Sequence, residues 1–545
     1  MPKPLNFLWV SFEDTNPFHG CYGDQIARTP VLDRLAAEGC LWTHCFSTAG
    51  VCAPARSAVI TGMYPTSIGT HHMRTTHTHP QAPGLPTPYS AVIPHYVKCF
   101  SEYLRAAGYY CTNNHKTDYQ FDPPLTAWDE LGPQAHWRNR PDPDQPFFAV
   151  FNPIRTHESG MWEANCSEIR LDPGQMVVPP YLPDTPAVRL AMARMYTHIE
   201  ESDSELGRIL QALDEDGLAE NTVVFHWSDH GPLPRGKRWP YDAGIHVPLI
   251  VRGAPGVTAG TRSDQLVSTV DLAPTMLSLA GLPIPAYMQG QAFLGDHAAP
   301  PREYVYASRD RHDETYDMVR AVRDRRWKYI RHYNHLQPPT QWIPYLNRHP
   351  IMREMWRLHL QGKLEGPQRL LFADERAPEE LYDTLSNPHE LHNLACDAAY
   401  QPELARLRSA LDEWRHVTGD LGDLDEYQLV RRWYPDGTQP ATQAPIAVLY
   451  SEEQPGVEPA PAEASVDLPA RIQLHCSTQG ASIAYTWEAG DSPRWLLYHS
   501  PLAVPVGAST LRACAIRIGF TASSERSWRL QSNRSIQPYH INEEA

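Results

Sequence analysis

The sequence lacks a long apolar run and lacks an excess of positive charge. No segment of its 545 residues is long and apolar enough to form a transmembrane helix. Lys and Arg number 47 against 63 Asp and Glu, which gives a net charge of -16. A nucleic-acid partner would favour a basic face instead. We therefore expect neither a membrane nor a nucleic acid as a partner.

Paired cysteines and a signal peptide are also missing. The ten cysteines, at positions 21, 40, 45, 52, 99, 111, 166, 396, 476 and 514, show no paired spacing. This pattern predicts free thiols in a reducing compartment. The apolar run at residues 5–12 is only strand-length and leads into acidic residues, unlike a signal peptide. We expect a cytoplasmic protein, or a periplasmic one if a native signal precedes this sequence.

The order of the predicted elements in the first 300 residues indicates an α/β fold. Strands alternate with helices, which predicts a mostly parallel sheet sandwiched by helices. In such sheets, ligands bind at the carboxyl ends of the strands. The predicted strands are residues 6–12, 109–113, 146–151, 222–227 and 247–251, and the predicted helices are residues 29–39, 100–107, 187–213 and one that follows Cys52.

The rest of the chain predicts further units, since 545 residues are too many for one compact core. A hairpin at residues 319–333 and an amphipathic helix at 404–417 predict a smaller antiparallel α+β subdomain. A stretch rich in Pro, Ala, Gln and Glu predicts a linker, and short alternating strands after it predict a β-sandwich. The expected domains are a catalytic domain at 1–301, a subdomain at 302–434, a linker at 435–464, a small β-sandwich at 465–531 and a tail at 532–545.

The segment 51–65 carries the most specific motif. Cys52 is followed by Pro54, Arg56 and the run Ser-Ala-Val-Ile-Thr-Gly. This resembles the signature of type I, formylglycine-dependent sulfatases of the alkaline phosphatase superfamily, with Ala55 where the family usually has Ser. The resemblance covers about residues 5–430 and implies an alkaline-phosphatase-like core. It also implies that a formylglycine-generating enzyme oxidises Cys52 during maturation. The alternative is an unmodified cysteine that is simply buried.

The expected chemistry explains the residue types of this motif. A formylglycine hydrate supplies a geminal diol, and a metal ion can activate one of its hydroxyls as a nucleophile. Arg56 follows Cys52 by one helical turn and can face the same site. Its guanidinium would hold the hydrate and the carboxylates that bind the metal.

Acidic and histidine residues after two predicted strands match the sulfatase cation site. The resemblance implies a metal site formed by Glu13, Asp14, Cys52, Asp229 and His230. Calcium is the family default, but much of the family has Asn where this chain has His230. Since an imidazole nitrogen suits manganese better than calcium, manganese is the alternative. A single acidic residue at a strand end is more often a solvated loop residue.

Three further residues match groups that hold the sulfate and protonate the leaving group. Lys116 and Lys237 match the family lysines that bind sulfate oxygens, and His157 matches the histidine near the leaving group. Either His157 or Lys237 could be the general acid. The family histidine two residues after the first lysine is Asp118 here. His115 or Asp118 could replace it, and the sequence leaves both open.

Two other segments resemble the branch of the family that contains heparan N-sulfatase, where equivalent loops touch a sulfated sugar. They follow the nucleophile helix and open the smaller subdomain. The alternative is a pair of surface loops rich in His and Arg. The candidate substrate-binding residues are His71, His72, Arg74, His115, Asp118, Asp310, Arg311 and His312.

The sequence therefore predicts a sulfuric ester hydrolase that acts on a sulfated small molecule or glycan, with an ester or an N-sulfate as its target. One alternative is a phosphonate monoester or phosphodiester hydrolase with the same site, since both substrates are tetrahedral anions. A second alternative is a non-catalytic sulfatase homologue that binds carbohydrate through its C-terminal sandwich. The sequence leaves open whether the protein forms a homo-oligomer.

Overall fold

The computed structural model of the protein describes residues 3–166 and 168–534. The first half of the chain folds around a mixed sheet with nine strands among the described residues. These strands are β1 (Asn6–Phe12), β2 (Cys40–Phe46), β3 (Tyr110–Asn114), β4 (Glu130–Leu131), β5 (Phe147–Phe151), β6 (Thr222–Ser228), β7 (His246–Arg252), β8 (Thr261–Ser263) and β9 (Val267–Ser268).

The centre of this sheet is parallel, as the sequence predicts. The strand order is β4-β3-β5-β1-β6-β7-β2-β8, and β9 pairs with β2. The neighbours β3, β5, β1 and β6 run parallel, whereas β7 is antiparallel to β6 and to β2. All seven residues of β1 are buried. A strand buried on both faces is typical of a sheet that is covered on both sides.

Helices cover both faces of the sheet. Successive side chains of a strand point to opposite faces of the sheet. On one face, Phe7 and Trp9 pack with the helices at 52–61, 100–106 and 272–279. On the other face, Leu8 and Val10 pack with the helices at 30–38 and 186–215. The predicted α/β sandwich is thereby confirmed. The helices of this half are α1 (Pro30–Glu38), α2 (Cys52–Thr61), α3 (Pro65–Ile68), α4 (Phe100–Ala106), α5 (Pro186–Glu215), α6 (Asp242–Ile245) and α7 (Leu272–Leu279).

A smaller antiparallel sheet follows. Its order is β10-β11-β12-β13, and Leu404, Leu407 and Leu411 of a long helix pack in a core with Tyr329 of this sheet. This confirms the predicted hairpin and amphipathic helix. The strands are β10 (Val305–Arg309), β11 (Val319–Arg323), β12 (Trp327–His332) and β13 (Glu379–Asp383), and the helices are α8 (Pro344–Asn347), α9 (Pro350–Leu360), α10 (Gln401–Thr418) and α11 (Glu426–Trp433).

The last unit is a β-sandwich of two sheets, ordered β15-β14-β17-β20 and β16-β22-β21-β18-β19. Its core contains Leu449, Ile472, Leu511 and Trp528. The strands are β14 (Ile446–Tyr450), β15 (Pro455–Pro459), β16 (Glu463–Leu468), β17 (Arg471–His475), β18 (Ser482–Thr486), β19 (Leu496–Leu497), β20 (Leu502–Ala503), β21 (Gly507–Ile516) and β22 (Arg526–Arg534).

The predicted linker at 435–464 is wrong from residue 446 onward. Ala447 and Leu449 are buried, and Leu449 pairs with Ile472 across the two strands. The prolines of this stretch are tolerated because β15 is an edge strand, where a missing N–H breaks no ladder. At the other end, residues 532–534 of the predicted tail belong to β22, and residues 535–545 lie outside the described residues.

The sandwich also packs directly on the first half of the chain. Ile518 belongs to the core cluster of the large sheet. Arg517 Nη2 donates to the carbonyl of Ile93 at 2.6 Å, and Lys98 Nζ donates to the carbonyl of Gly480 at 2.7 Å. A side chain at Gly519 would collide with the carbonyl of Ala91, so the two backbones approach closely there. The sandwich is therefore docked on the core rather than tethered to it.

Two expectations from composition concern membrane helices and cysteine pairing. Across residues 3–166 and 168–534, the helices are all too short or too polar to cross a membrane. The ten cysteines all lie in the described ranges, and each is a free thiol. The prediction of free thiols is confirmed in the structure.

We expect Arg517→Met to weaken the docking of the sandwich. The substitution leaves the buried carbonyl of Ile93 without its donor, which costs about 1–3 kcal/mol. Differential scanning calorimetry should show a lower Tm. The matched control is Arg529→Met, because Arg529 is 77% exposed and pairs with the exposed Glu463, so its Tm should stay close to wild type. An unchanged Tm for Arg517→Met would contradict the docking role of this contact.

Candidate active site

The candidate residues lie at the carboxyl ends of four adjacent parallel strands. Lys116 follows β3, Asn152 follows β5, Asp14 follows β1 and Asp229 follows β6. The strand order β3-β5-β1-β6 brings these strand ends together, although their residues are far apart in sequence. Ligands bind at this edge in open α/β sheets, so the fold places the candidate groups where a site is expected.

Cys52 is the first residue of α2 and is buried. Its Sγ lies 3.1 Å from His230 Nε2 and 3.9 Å from Asp14 Oδ1. Burial raises the pKa of the thiol well above its usual range, so the group is not an activated thiolate. The free N–H groups at the start of α2 favour negative charge beside this residue.

Four side chains form a group that can hold a metal ion. The ligand atoms of Asp14, Cys52, Asp229 and His230 all lie within 4.8 Å of one another, and all four residues are buried. The Nδ1 atom of His230 lies 3.0 Å from the carbonyl of Gly231 and therefore carries the proton.

The Nε2 lone pair of His230 is thus left facing Asp14 Oδ1 at 3.2 Å. A divalent cation between these two atoms would be held by both of them. One imidazole nitrogen and two carboxylates are donors that suit a divalent metal, so the residues present fit the predicted cation.

The two carboxylates of this group are held in the charged form. Burial alone would raise the pKa of Asp14, but the neighbouring Lys237 ammonium outweighs it, and the pKa is lowered. For Asp229, His230 and Arg56 likewise overcome burial and hold the pKa far below its usual range. Asp14 also has a φ of 44°, a strained conformation for a residue other than glycine. Its backbone N–H donates to Asp229 Oδ1 at 3.1 Å, which helps to fix it.

Arg56 contacts the carboxylates rather than the thiol. Its Nε donates to Asp229 Oδ2 at 2.9 Å, and its Nη1 donates to Asn152 Oδ1 at 3.0 Å. Its Nη2 lies 3.7 Å from Glu13 Oε1. Arg56 is therefore a positioning residue that fixes Asp229. Asn152 was missed by the sequence analysis, although it directly follows a predicted strand.

Glu13 lies at the site but outside the metal-ligand group. Its carboxylate forms an ion pair with Lys116. Lys116 Nζ also lies 3.3 Å from Asp118 Oδ2. Of the two residues that could replace the family histidine, Asp118 thus contacts the lysine. The His115 side chain is exposed and makes no hydrogen bond or ion pair with any described residue.

Lys237 is buried, and its ammonium group contacts two carboxylates. Its Nζ lies 2.5 Å from Asp14 Oδ2 and 3.0 Å from Glu158 Oε1. Arg238 makes two hydrogen bonds to the same Glu158 carboxylate, at 2.9 and 2.6 Å. Glu158 was not among the predicted site residues. Its position next to His157, after a predicted strand, was the available signal.

His157 presents a proton to the site. Its Nδ1 accepts the backbone N–H of Ser159 at 3.3 Å, so in the neutral ring the proton is on Nε2. Nε2 lies 4.0 Å from Asp14 Oδ2. Burial, with Lys237 nearby, lowers the pKa of His157 to about 4. The ring is therefore neutral near pH 7 and offers an N–H donor.

Arg74 lies at the partly open side of the site. Its Nε lies 2.6 Å from Asp313 Oδ1, its guanidinium stands over the ring of Tyr345 at 5.1 Å, and its side chain is 37% exposed. Its neighbour Met73 packs against Cys52. His312 is buried next to Asp313, with Nε2 and Oδ2 3.6 Å apart. Arg74 is thus the predicted substrate residue that is both near Cys52 and accessible.

Asp310 and Arg311 are placed differently from the prediction. Asp310 makes two hydrogen bonds with Arg320, both 3.1 Å long. Arg311 makes two hydrogen bonds of 2.7 Å with Glu426 of α11. Both side chains are buried in these pairs. They hold the subdomain together, and this placement does not favour contact with a sugar.

His71 and His72 are buried and packed against each other, with ring centroids 4.2 Å apart. His72 Nδ1 accepts the backbone N–H of Arg311 at 3.3 Å. The two rings therefore connect the loop after α3 to the start of the smaller subdomain. Their placement indicates a supporting role for the loop that carries Arg74.

Comparison with known proteins agrees with this geometry. The sulfatase family profile matches residues 5–142 and 129–282, and the profile of the C-terminal part of N-sulphoglucosamine sulphohydrolase matches residues 230–348. The chain is 43% identical to an ulvan-active sulfatase of Formosa agariphila over 96% of this chain and 91% of that protein. It is 28% identical to human N-sulphoglucosamine sulphohydrolase over 77% of this chain and 91% of that protein.

Among solved structures, a phosphonate monoester hydrolase of Silicibacter pomeroyi has a TM-score of 0.55. It covers 77% of this chain and 96% of that chain at 19% identity. At this identity the likeness concerns the fold alone. It agrees with the alkaline-phosphatase-like core that the sequence predicts.

The metal-ligand group predicts a bound divalent cation. Elemental analysis of the purified protein should find close to one divalent metal ion per chain, and Asp229→Asn should lower this content because one charged ligand is lost. Asp412→Asn is the control, since Asp412 is exposed and pairs with Arg331. A fully active preparation without metal would refute the cation site.

Proposed function

The chain belongs to the sulfatase family, and we propose that it removes sulfate groups from a sulfated polysaccharide through a formylglycine formed from Cys52. The family membership makes it a sulfuric ester hydrolase, as the sequence predicts. The observation that carries the proposal is the position of Cys52. It starts a buried helix and lies within reach of Asp14, Asp229 and His230.

Formylglycine would supply a geminal diol as the nucleophile, and a divalent metal would supply positive charge beside it. Cys52 is an ordinary cysteine in the structure, so its Sγ stands in for an oxygen of that group. Asp14, Asp229 and His230 would hold the metal through two carboxylates and one imidazole nitrogen. Arg56 keeps Asp229 in place through its 2.9 Å hydrogen bond.

The remaining side chains would bind and orient the sulfate group. Lys116 and Lys237 carry positive charge, because nearby acidic groups raise the pKa of each lysine in spite of burial. They would neutralise sulfate oxygens and exchange their present carboxylate partners for the substrate. His157 would donate its Nε2 proton to the ester oxygen or to a sulfate oxygen. Such donors are most effective in a buried site, where water does not compete.

The substrate class follows from the relatives and from the rim of the site. The match to the ulvan-active sulfatase spans 96% of the chain, so it includes most of the C-terminal sandwich, whereas the match to N-sulphoglucosamine sulphohydrolase covers 77%. This favours a sulfate ester of an ulvan-like polysaccharide over an N-sulfate. Arg74, partly exposed and next to the ring of Tyr345, would contact an anionic sugar there.

Two alternatives have weaker support. A phosphonate monoester is a tetrahedral anion of similar shape, but the support for it is a likeness of fold. A non-catalytic role would not need two lysines, a histidine donor and four candidate metal ligands around one point. The gathering of these groups at Cys52 favours catalysis.

Cys52→Ala should abolish turnover and leave the fold intact, because the value of this residue lies in the aldehyde that it becomes. Sulfate release from sulfated oligosaccharides and the circular dichroism spectrum should be measured for the variant. The control is Cys40→Ala, a buried cysteine of β2, which should retain activity. Mass spectrometry of the peptide that carries Cys52 should show formylglycine in the wild type. Wild-type rates for Cys52→Ala would disprove the central claim.

The choice between substrates can be tested with one enzyme preparation. We expect kcat/KM for ulvan oligosaccharides, followed by sulfate release, to exceed that for an N-sulfated glucosamine and for a phenyl phosphonate monoester. Arg74→Ala should raise KM for the oligosaccharide more than for a small aryl sulfate, since Arg74 lies at the rim. A preference for the phosphonate would assign the protein to the alternative class.

A further inference from the structure

A second cationic cavity lies behind the candidate active site. Its volume, measured for the centre of a water-sized sphere, is about 10 Å³, which is room for one water molecule or one small ion. Four of its lining residues are cationic, and none is acidic. The four cations are Arg235, Lys237, Arg238 and Arg309, and Trp239 and Gln341 also line the cavity.

Two of the three guanidinium nitrogens of Arg309 lack a hydrogen-bond acceptor among the described residues. Its side chain is 4% exposed, and its Nε and Nη1 make no hydrogen bond to any described residue. Nη2 donates to Gln341 Oε1. The nearest carboxylate, Asp317, lies 3.5 Å from Nε but is already bound by both terminal nitrogens of Arg376, at 2.8 and 3.2 Å. One carboxylate thus serves two buried guanidinium groups.

A second arginine of the cavity has the same deficit. Arg238 Nη1 and Nη2 bind Glu158, but its Nε has no partner among the described residues. The ring of Trp239 lies under Arg309 at 3.6 Å, so one face of that guanidinium is closed to water. A buried N–H donor without an acceptor costs about 1–3 kcal/mol, and more when the group is charged. The three donors are Nε and Nη1 of Arg309 and Nε of Arg238. Because both residues line the same cavity, we expect an acceptor inside it.

An anion meets this need better than a neutral acceptor. It would both accept the hydrogen bonds and offset the excess positive charge. Burial lowers the pKa of Arg309 to about 10, against the usual value for arginine, which shows how poorly its charge is compensated.

We propose that this cavity binds one monatomic anion, with chloride as the natural occupant, through Arg309 and Arg238. The site is separate from the place where the substrate sulfate would bind, although Lys237 lines both sites.

An adjoining cavity of about 170 Å³ shares Arg235, Trp239, Pro339 and Leu371 with it and offers a path for the ion. The bound ion would stabilise the segment 235–239, which carries Lys237 to the active site.

The first test compares salts at equal ionic strength. The Tm of the full chain should be higher in sodium chloride than in sodium gluconate, and the difference should grow with chloride concentration, because a ligand that binds the native state stabilises it. Arg309→Met should remove this difference. The control Arg357→Met changes an exposed arginine of α9 and should keep the full chloride response. Equal Tm values in the two salts would overturn the proposal.

The second test does not depend on a variant that folds. Crystals of the wild-type protein grown or soaked in sodium bromide should show an anomalous difference peak in the cavity, in hydrogen-bonding contact with the Arg309 guanidinium. Bromide would occupy the chloride site, and the anomalous signal at its X-ray absorption edge would identify it. Density for an ordered water molecule without an anomalous signal would show that the cavity is a water site.

Discussion

The buried ion pair between Arg56 and Asp229 joins α2, which begins at Cys52, to the central sheet. Cys52 and Arg56 lie on the same face of α2, and Asp229 follows β6, so this 2.9 Å contact sets the distance between the thiol and the metal ligands. Removing one partner of a buried pair costs about 3–5 kcal/mol. The same Asp229 carboxylate accepts a hydrogen bond from the backbone N–H of Asp14. The arrangement of two strand ends and one helix thus depends on one carboxylate.

Most of this arrangement could be predicted from the sequence because its signals are local. The motif at Cys52 is contiguous, and the runs of apolar residues mark the buried strands β1 and β6, directly before Asp14 and Asp229. Because β1 and β6 run parallel, their carboxyl ends lie at the same edge of the sheet. The alternatives for the missing family histidine could not be separated by sequence, because the ion pair of Asp118 with Lys116 is a matter of side-chain direction.

The failures of prediction all involve partners that are distant in sequence. The Pro-rich stretch resembles a linker by composition, yet β14 pairs with β17 because Ala447 and Leu449 alternate with outward residues. Nothing local to Arg311 shows that its partner is Glu426, 115 residues later. An arginine in a loop has the same sequence signal whether it binds substrate or a buried glutamate. Burial and the partner decide between these roles, and only the tertiary structure supplies both.

Carboxylates outnumber cations by one at the site before any metal or substrate is added. Each cation is paired with a carboxylate, as Lys116 is with Glu13 and Lys237 is with Asp14 and Glu158. The four cations are Arg56, Lys116, Lys237 and Arg238, and the five carboxylates are Glu13, Asp14, Asp118, Asp229 and Glu158. A divalent metal would therefore leave an excess of positive charge in a low-dielectric pocket, where Coulomb interactions are strong. That excess would attract an anionic ester and release Lys116 and Lys237 from their present partners, so metal binding and substrate binding would support each other.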